Sequence, residues 1–546
     1  MALKQRVLSV RRSYNQFVAN ETMEDYALRY TATGARKFST ARIAHTAFGA
    51  TSFLALEVIG GSMTLQYGTV NAVCAILVVS LLIALVSVPI AYVAVRYGID
   101  IDLLTRAAGF GYIGSTVTSL IYASFTFLFF AIEASIFADM LREVFGLPLA
   151  LGYIFTAVTV IPMVAYGVTF ISRFQVWTQP LWLFLNFLPI LLLLLHPHLL
   201  QSWRHYRGAA APAGFSLLPF GICASIVSSL IAQVGEQVDY LRFLKPPVQG
   251  KRLGWWVALL VAGPGWVVPG MVKMLAGSVF AVLAVAAGFS IAEAGQPVIM
   301  YRVAYGMFTS PALAILSTVV LISVAQTKIN ITNAYAGSIA WSNFFSRLTH
   351  RHPGRVVWLV FNVAIALLLT EMGIYRTIEP ILTFYSILAC AWIGATCADL
   401  VFVKFLRLGR PEIEFKRAYL FDINPVGTGG MAFAVLVGLF AKTSLAGEAA
   451  HAFAPLLALL AAFIAVPLLA LATKGRFYLA RKPRRAWQGK KTLQCGVCGN
   501  DFETPDVAFC PAYVAPICSL CCALDSRCHD ACKPHARYFK QLTWAL

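Results

Sequence analysis

The chain has 546 residues, of which 59% are hydrophobic and 12% are charged, and its mean hydropathy is +0.73. This composition excludes an ordinary soluble domain and is typical of a protein that crosses a membrane many times. A formal net charge of +19 would suggest nucleic acid as the partner of a soluble protein. Here the Lys and Arg residues concentrate between apolar stretches, so we expect no nucleic-acid partner.

Twelve apolar stretches predict an all-α polytopic membrane protein. A hydrocarbon core is about 30 Å thick, and a helix of about 20 residues crosses it while satisfying its own backbone hydrogen bonds. The Lys and Arg residues favour the connections on one side, which predicts a multi-pass protein of a bacterial inner membrane with both termini in the cytoplasm. The predicted spans are 42–66, 70–97, 110–141, 149–171, 177–196, 214–238, 254–288, 311–343, 355–375, 378–405, 428–442 and 452–473.

Composition divides the chain into five segments. A basic N-terminal segment (1–40) precedes the transmembrane domain (41–475), and a basic linker (476–494) leads to a Cys-rich module (495–535) and a short tail (536–546). A basic stretch directly after a membrane span usually contacts anionic headgroups. We therefore expect membrane lipid to be a partner of the linker.

Helix-breaking and polar residues interrupt two of the spans. The first contains Glu57 followed by Gly60-Gly61, and the sixth contains Pro219-Phe220-Gly221 and Gly235-Glu236. Interruptions in corresponding spans indicate a five-plus-five inverted repeat, in which two broken helices expose backbone groups near the midplane. Small residues also allow helices to pack closely, and the sequence leaves both interpretations open.

Polar residues inside the spans indicate a buried site, because a charge at the bilayer centre costs at least a few kcal/mol and normally faces protein or water. Phe129 precedes Glu133 by one helical turn, so an aromatic plate and a carboxylate share one face of the third span. This pair would suit a flat, polar heterocycle. The polar run 326–333 in the eighth span must line a cavity or a helix interface. The ionisable residues within spans are Glu57, Glu133, Lys328 and Asp399.

The Cys-rich module predicts a metal site. Stable disulfides are rare in the cytoplasm, and paired C-x2-C motifs are typical of tetrahedral zinc sites. The abundance of cysteine favours a closed structural site, and the spans show no nucleophile–base set, so we do not expect an enzyme. An iron–sulfur site or a redox-active thiol cluster stays open, and spacing does not assign residues to individual metals. The predicted ligands are Cys495, Cys498, Cys510, Cys518, Cys521, Cys528, Cys532 and His535, with Cys522 and His529 nearby.

Three motifs occur in order along residues 25–475. They are Phe110-Gly111-Tyr112-Ile113-Gly114-Ser115 before the third span, Val238-Asp239-Tyr240-Leu241-Arg242-Phe243 at the end of the sixth, and Tyr385-Ser386-Ile387 with Gly394 and Ala398-Asp399 in the tenth. With these motifs the chain resembles the nucleobase:cation symporter-1 family, which includes purine, cytosine, allantoin and hydantoin permeases. The resemblance implies a LeuT-like fold with two additional C-terminal helices, and transport of a nucleobase-like ring with a cation by alternating access.

The resemblance also implies roles for individual residues. Phe129 would stack on the substrate and Glu133 would hydrogen-bond it, whereas the second aromatic wall of the family is replaced by Leu230. Leucine has no aromatic face, so a planar substrate is implied less firmly than the family suggests. The candidate substrate-binding residues are Phe129, Glu133, Ser229, Leu230, Asn330 and Asn333.

The coupling ion is a separate question. The family's sodium site uses carbonyls of the first span and hydroxyls of the eighth, where this chain has Thr327 followed by Lys328. We hypothesise that Lys328 replaces or competes with sodium, which leaves coupling to protons or no coupling. A permanent ion pair of Lys328 with Glu57 or Glu133 is the alternative. Glu57, Thr327 and Lys328 are the candidate coupling residues, with Na+ and H+ both open.

The Cys-rich tail adds a second candidate function. A permease-like body joined to such a module is similar to the membrane input regions of some bacterial sensor kinases. The protein could therefore be a transporter with a regulatory zinc tail, or a transporter-like sensor that signals through the tail to a separate cytoplasmic protein. Both functions need an occupied midplane site and a body with two states.

Overall fold

The computed structural model describes residues 30–36, 38–210, 214–246, 252–351, 353–373, 378–408, 411–483, 487, 489–524 and 528–545. Most of the predicted N-terminal segment 1–40 therefore lies outside the described residues. Each predicted span contains helix, and eight helices of the described part are long and apolar enough to cross a membrane by length and composition. The predicted all-α polytopic architecture is confirmed.

The helices follow the predicted order. The helices at the positions of the twelve predicted spans, which keep the numbers of those spans below, are Thr40–Gly49 with Ala55–Tyr67, Thr69–Tyr97, Ser115–Phe145, Leu149–Ala165, Gly167–Leu195, Leu217–Ser228 with Gln233–Leu241, Val267–Ala286, Pro311–Thr349, Arg355–Glu371, Ile378–Ala398, Pro425–Ala441 and Ala454–Ala472. Shorter helices in the connections and the tail are Ile101–Thr105, Gln201–Arg204, Arg252–Ala262, Ile291–Ala294, Pro297–Gly306, Gly447–Ala452, Ser519–Leu524 and Tyr538–Ala545.

The predicted seventh span, 254–288, is two helices rather than one. Arg252–Ala262 ends before Gly263, and a short 3-10 turn that begins at Pro264 leads into Val267–Ala286. Proline has no N–H to donate and its ring clashes with the preceding helical turn, so the first helix cannot continue through it. The membrane-length segment here is therefore Pro264–Ala286.

The first span is broken, but the break precedes the predicted position. Thr40–Gly49 ends and a non-helical segment, residues 50–54, leads to Ala55–Tyr67. Gly60 lies inside the second helix, where an added Cβ atom would overlap the carbonyl of Met274 on the seventh span. Gly60 thus serves close packing between the first and seventh spans, which is one of the two interpretations that the sequence allowed.

The sixth span changes pitch without a full break. A 3-10 turn, Ser229–Ala232, separates Leu217–Ser228 from Gln233–Leu241. The predicted interruptions lie inside the two helices, and Gly235, for example, leaves no room for a Cβ atom beside the ring of Tyr122. The irregular backbone of this span therefore occurs at the turn that carries two of the candidate substrate residues.

The tail contains two small antiparallel sheets. Strand β1 (Thr492–Gln494) pairs with β2 (Asp501–Glu503), and β3 (Val507–Cys510) pairs with β4 (Ala515–Cys518). Helix Ser519–Leu524 follows β4 directly. The short strands bring the cysteines of distant sequence positions together.

The tail docks on the connection between the tenth and eleventh spans. Arg417 of this connection lies 2.8 Å from the carboxylate of Asp530, and Lys533 of the tail lies 2.8 Å from that of Asp422. The Asp422 N–H also donates to the Ala536 carbonyl at 3.0 Å. Two ion pairs and a backbone hydrogen bond thus hold the module against the transmembrane body.

Candidate substrate and coupling site

Glu133 of the third span holds the break in the first span. One carboxylate oxygen accepts from the Leu54 N–H and the other from the Ala55 N–H, both at 3.0 Å. These N–H groups begin the second helix, where unpaired donors and the helix dipole favour an anion. Glu133 is fully buried. It therefore positions the broken span, and its contact with substrate stays a prediction.

Phe129 lies one turn before Glu133 and also reaches the break. Its ring meets that of Phe53, in the non-helical segment, edge to face with 6.1 Å between centroids, and the Phe125 ring lies 4.6 Å away. The Phe129 side chain is 2% exposed. An aromatic cluster and a carboxylate therefore adjoin the buried non-helical segment of the first span, an arrangement that suits a flat polar ring.

Ser229 and Leu230 lie in the 3-10 turn of the sixth span and are both buried. The Ser229 hydroxyl donates to the Ile226 carbonyl at 2.7 Å, so its hydrogen is used within the span. The turn packs against the tenth span. Their role as a second wall of the substrate site stays a prediction.

The polar face of the eighth span is buried against the third span. Gln326, Asn330 and Asn333 are spaced by four and three residues, which places them on one side of the helix, and Gln326 lies beside the Glu133 carboxylate. In the described part of the chain, Asn330 Oδ1 and Asn333 Nδ2 have no hydrogen-bond partner. A buried polar atom without a partner costs about 1–3 kcal/mol, so these two atoms mark a place for water or a polar ligand.

The side chain of Lys328 reaches from the eighth span to the fifth span, where its ammonium forms three hydrogen bonds. Its ammonium donates to the Gln175 carbonyl at 2.9 Å, the Thr178 hydroxyl at 3.0 Å and the Gln179 amide oxygen at 3.2 Å. The Lys328 side chain is fully buried. The three acceptors are uncharged, so this shell differs from the ion pair with a glutamate that the sequence left open.

The break in the first span also contacts the eighth span. The Ser52 hydroxyl donates to the Ala325 carbonyl at 3.2 Å. Thr327, two residues further along, donates to the Ser323 carbonyl of its own helix at 2.7 Å. The hydroxyl oxygen of Thr327 keeps acceptor capacity, and its contact with a coupling ion stays a prediction.

Glu57 pairs with a lysine that the sequence analysis did not select. The Lys273 ammonium lies 2.8 Å from the Glu57 carboxylate, and both side chains are fully buried. The Tyr301 hydroxyl donates to the same carboxylate oxygen at 2.7 Å and accepts from the Asn186 amide at 2.8 Å. The sequence did contain a signal for Lys273. It is a lone lysine in an apolar stretch, and intramembrane charges normally have partners.

Trp182 of the fifth span connects the two buried ammonium groups. The centroid of its ring lies 5.6 Å from Lys273 Nζ and 5.9 Å from Lys328 Nζ. A cation within about 6 Å of an indole ring is attracted by the quadrupole of the ring. Charged and aromatic groups thus link the first, fifth, seventh and eighth spans around one buried region.

Further buried ion pairs lie at the end of the spans that faces the tail. Asp100 lies 3.6 Å from Arg242, and Asp102 lies 3.5 Å from Arg347. These contacts join the connection after the second span to the ends of the sixth and eighth spans.

Four cysteines of the tail form a candidate metal centre. The Sγ atoms of Cys495, Cys498, Cys518 and Cys521 all lie within 4.8 Å of one another. The Cys518 N–H points to Cys495 Sγ at 3.3 Å, and the Cys521 N–H to Cys518 Sγ at 3.4 Å, so backbone donors support negative charge on sulfur. Four convergent thiols with two C-x2-C spacings fit a structural zinc ion.

The other predicted ligands lie elsewhere in the module. Cys510, Cys528 and Cys532 line a second, very small cavity together with Cys522. The imidazole of His535 instead contacts the Ala480 carbonyl at 3.1 Å and the ring of Phe421. The sequence predicted one undivided set of ligands, and the fold separates it into groups. Metal binding outside the first group stays a prediction.

Comparisons with known proteins show the fold. No family model and no curated protein sequence matches the chain. Mhp1, a nucleobase-cation-symport-1 family transporter, was solved in a closed conformation with bromovinylhydantoin bound. That structure is similar with a TM-score of 0.62 and 18% identity, and the match covers 84% of this chain and 100% of Mhp1.

Two further solved structures agree with this result. The inward-facing conformation of Mhp1 matches with a TM-score of 0.62 and 20% identity over 83% of this chain and 95% of Mhp1. A substrate-bound, outward-open Na+-coupled sialic acid symporter matches with a TM-score of 0.51 and 12% identity over 83% of this chain and 94% of its own. The chain is an integral membrane protein, and its predicted LeuT-like transporter fold is confirmed.

Proposed function

We propose that this protein is a secondary active transporter that moves a nucleobase or a related flat nitrogen heterocycle across a bacterial inner membrane by alternating access. Substrates of purine, cytosine, uracil, allantoin and hydantoin type fall within this class. The observation that carries the proposal is the meeting of Phe129 and Glu133 at the break in the first span, together with two unpartnered asparagine atoms on the eighth span, which packs against the third. The fold supports it, because a solved structure of similar fold holds a hydantoin.

The unpartnered atoms match the chemistry of this substrate class. Asn330 Oδ1 is an acceptor and Asn333 Nδ2 is a donor, and both are buried. Oxopurines, pyrimidines, allantoin and hydantoins carry ring N–H and C=O groups side by side, which could satisfy such a pair. Phe129 would stack on the face of the ring, and Leu230 would supply an apolar wall on the sixth span.

Lys328 determines the proposed coupling. Its ammonium has three neutral oxygens within 3.2 Å, which is the kind of shell that an alkali cation would use. A fixed positive charge in this shell repels a second cation, so we expect transport to be independent of sodium. Coupling to protons is then the case that fits a secondary active transporter, whereas uncoupled movement would make the protein a facilitator that equilibrates its substrate.

Uptake into proteoliposomes tests the proposal. Radiolabelled purines, pyrimidines, hydantoins and allantoin would be offered with and without sodium and with an imposed proton gradient. We expect accumulation of at least one compound without sodium, and loss of it in Phe129→Leu and Asn330→Ala. Phe184→Leu is a matched control, because the Phe184 ring is 60% exposed. Sodium-dependent uptake would contradict the role of Lys328, and absence of binding and uptake for the whole panel would contradict the substrate class.

A sensor is the second candidate function, and the docking of the tail favours it. The Glu503 carboxylate accepts from the Thr33 N–H at 2.8 Å, in the segment that leads to the first span. The His350 ring, at the end of the eighth span, lies 3.2 Å from the Ala523 carbonyl. Movement of either span would therefore change contacts of the tail, which could signal to a separate cytoplasmic protein. Saturable binding without flux under every gradient would favour this function.

The tail is proposed to hold structural zinc at Cys495, Cys498, Cys518 and Cys521. The ion would cross-link the turn after β1 to the end of β4 and the helix that follows it. A closed tetrahedral site has no open position for catalysis, so the role of the ion would be structural. Thiolate ligands also fit a cytoplasmic location, where thiols stay reduced.

A further inference from the structure

A large groove opens on the outside of the transmembrane body, away from the site described above. It has a volume of about 1030 Å³ and is formed by the second span, the tenth span and helix Arg252–Ala262, with Phe463 of the twelfth span.

Most of the lining of the groove is apolar, and several of its side chains are exposed on the outside of the transmembrane body. Leu85 is 62% exposed and Phe405 is 47% exposed, although both lie in membrane-length helices. Arg96 follows Leu82 on the second span by 14 positions, which correspond to about 21 Å at 1.5 Å per residue. This length matches one leaflet of a bilayer. A leaflet comprises half of a hydrocarbon core of about 30 Å and the headgroup region next to it.

One end of the groove is cationic. Arg96 and Arg407 are exposed there, and Lys404 lies in the wall. No carboxylate occurs among the described residues that line the groove. Positive charge at the mouth of an apolar groove between spans is complementary to a ligand with an anionic head and long hydrocarbon chains.

Aromatic side chains define the boundary between the apolar and cationic parts. The rings of Tyr92 and Trp256 are stacked with 5.7 Å between centroids, and the Arg96 guanidinium donates to the Tyr92 hydroxyl at 2.7 Å. Tyr and Trp favour the level of lipid headgroups, because one part of each side chain is apolar and the other is polar. The guanidinium of Arg96 is therefore held at headgroup depth.

We propose that this groove binds an anionic diacyl phospholipid. The phosphate lies between Arg96 and Arg407, and the acyl chains follow the second and tenth spans toward Leu82. Arginine suits this role, because its planar guanidinium can bind a phosphate through two parallel hydrogen bonds. The occupant is a lipid rather than free phosphate, since most of the lining is apolar and only its end is charged.

Native mass spectrometry of the delipidated full-length protein in detergent tests the assignment. The protein would be titrated with dioleoyl phosphatidylglycerol and with dioleoyl phosphatidylcholine, which has the same chains but no net charge. With two arginines at the phosphate, we expect roughly thirtyfold tighter binding of the anionic lipid. Equal affinity for the two lipids would overturn the proposal, as would full competition by inorganic phosphate.

Variants distinguish lipid binding in this groove from general lipid contact elsewhere on the protein surface. Arg96→Gln with Arg407→Gln should remove the preference, whereas Arg204→Gln with Arg207→Gln, two exposed arginines beyond the opposite end of the second span, should keep it. Val401→Trp should weaken the binding of both lipids by filling the groove while leaving the charges in place. An unchanged preference in the first double variant, with unchanged thermal unfolding, would show that the groove is not the site.

Discussion

Breaking the Glu57–Lys273 pair should strongly destabilise the transmembrane body. The two side chains are 2.8 Å apart and fully buried, and Glu57 Oε2 has no hydrogen-bond partner in the described part of the chain. Lys273→Met would leave the Glu57 carboxylate with the Tyr301 hydroxyl as its nearest donor. Removing one partner of a buried pair costs about 3–5 kcal/mol, because the remaining charge is uncompensated.

A double-mutant cycle measures this effect. The free energy of unfolding in mixed micelles would be determined for Lys273→Met, Glu57→Gln and the double variant. We expect each single change to destabilise the protein and the double variant to regain at least about 1 kcal/mol relative to their sum. Additive single effects, or a Lys273→Met protein as stable as the original, would refute the assignment of a coupled buried pair.

Three further predictions concern the tail and the packing of the first span. Metal analysis of the reduced full-length protein should give at least one zinc per chain, and Cys495→Ser with Cys498→Ser should remove one; an unchanged zinc content would contradict the assigned centre. Burial raises the pKa of Asp530, but the neighbouring lysine and arginine lower it to below its ordinary value. Its contribution to docking should therefore be present at neutral pH and be lost only as the pH falls through this lowered pKa, and hydrogen exchange of the tail at pH 7 and in acid would detect the change. Gly60→Ala should cost about 1–3 kcal/mol through overpacking, and an unfolding midpoint equal to that of the original protein would contradict the contact.

The sequence predicted the all-α polytopic fold and the order of its helices because long apolar stretches have few alternatives in a membrane. It did not predict the position of the irregular backbone. Glycine indicates either a break or close packing, and Gly60 has the second role whereas the break lies at residues 50–54. The deciding contact is with Met274 on a span about 200 residues away, which no local pattern contains.

The same limit applies to the polar residues of the spans. Their burial could be predicted, since each needs a protein or water environment, but their partners could not. Asp399 was named only as an ionisable residue within a span, and in the structure its carboxylate accepts from the Tyr478 hydroxyl beyond the last span. Lys328 and Glu57 were considered as partners of each other. In the structure the Lys328 ammonium instead donates to the fifth span, and Glu57 forms an ion pair with Lys273.

Glu133 holds the break in the first span, and we propose that it also binds substrate. Both of its oxygens already accept backbone N–H groups, but each carboxylate oxygen can accept more than one hydrogen bond, so a substrate N–H would add to these contacts. In Glu133→Gln one oxygen remains and an NH2 donor faces a backbone N–H, which removes a charge-assisted bond of about 1.5–3 kcal/mol. We therefore expect the unfolding midpoint and substrate binding to fall together. Loss of binding at unchanged stability would mean that Glu133 serves the substrate alone, and that the break in the first span is held by other contacts, such as that of Ser52 with the eighth span.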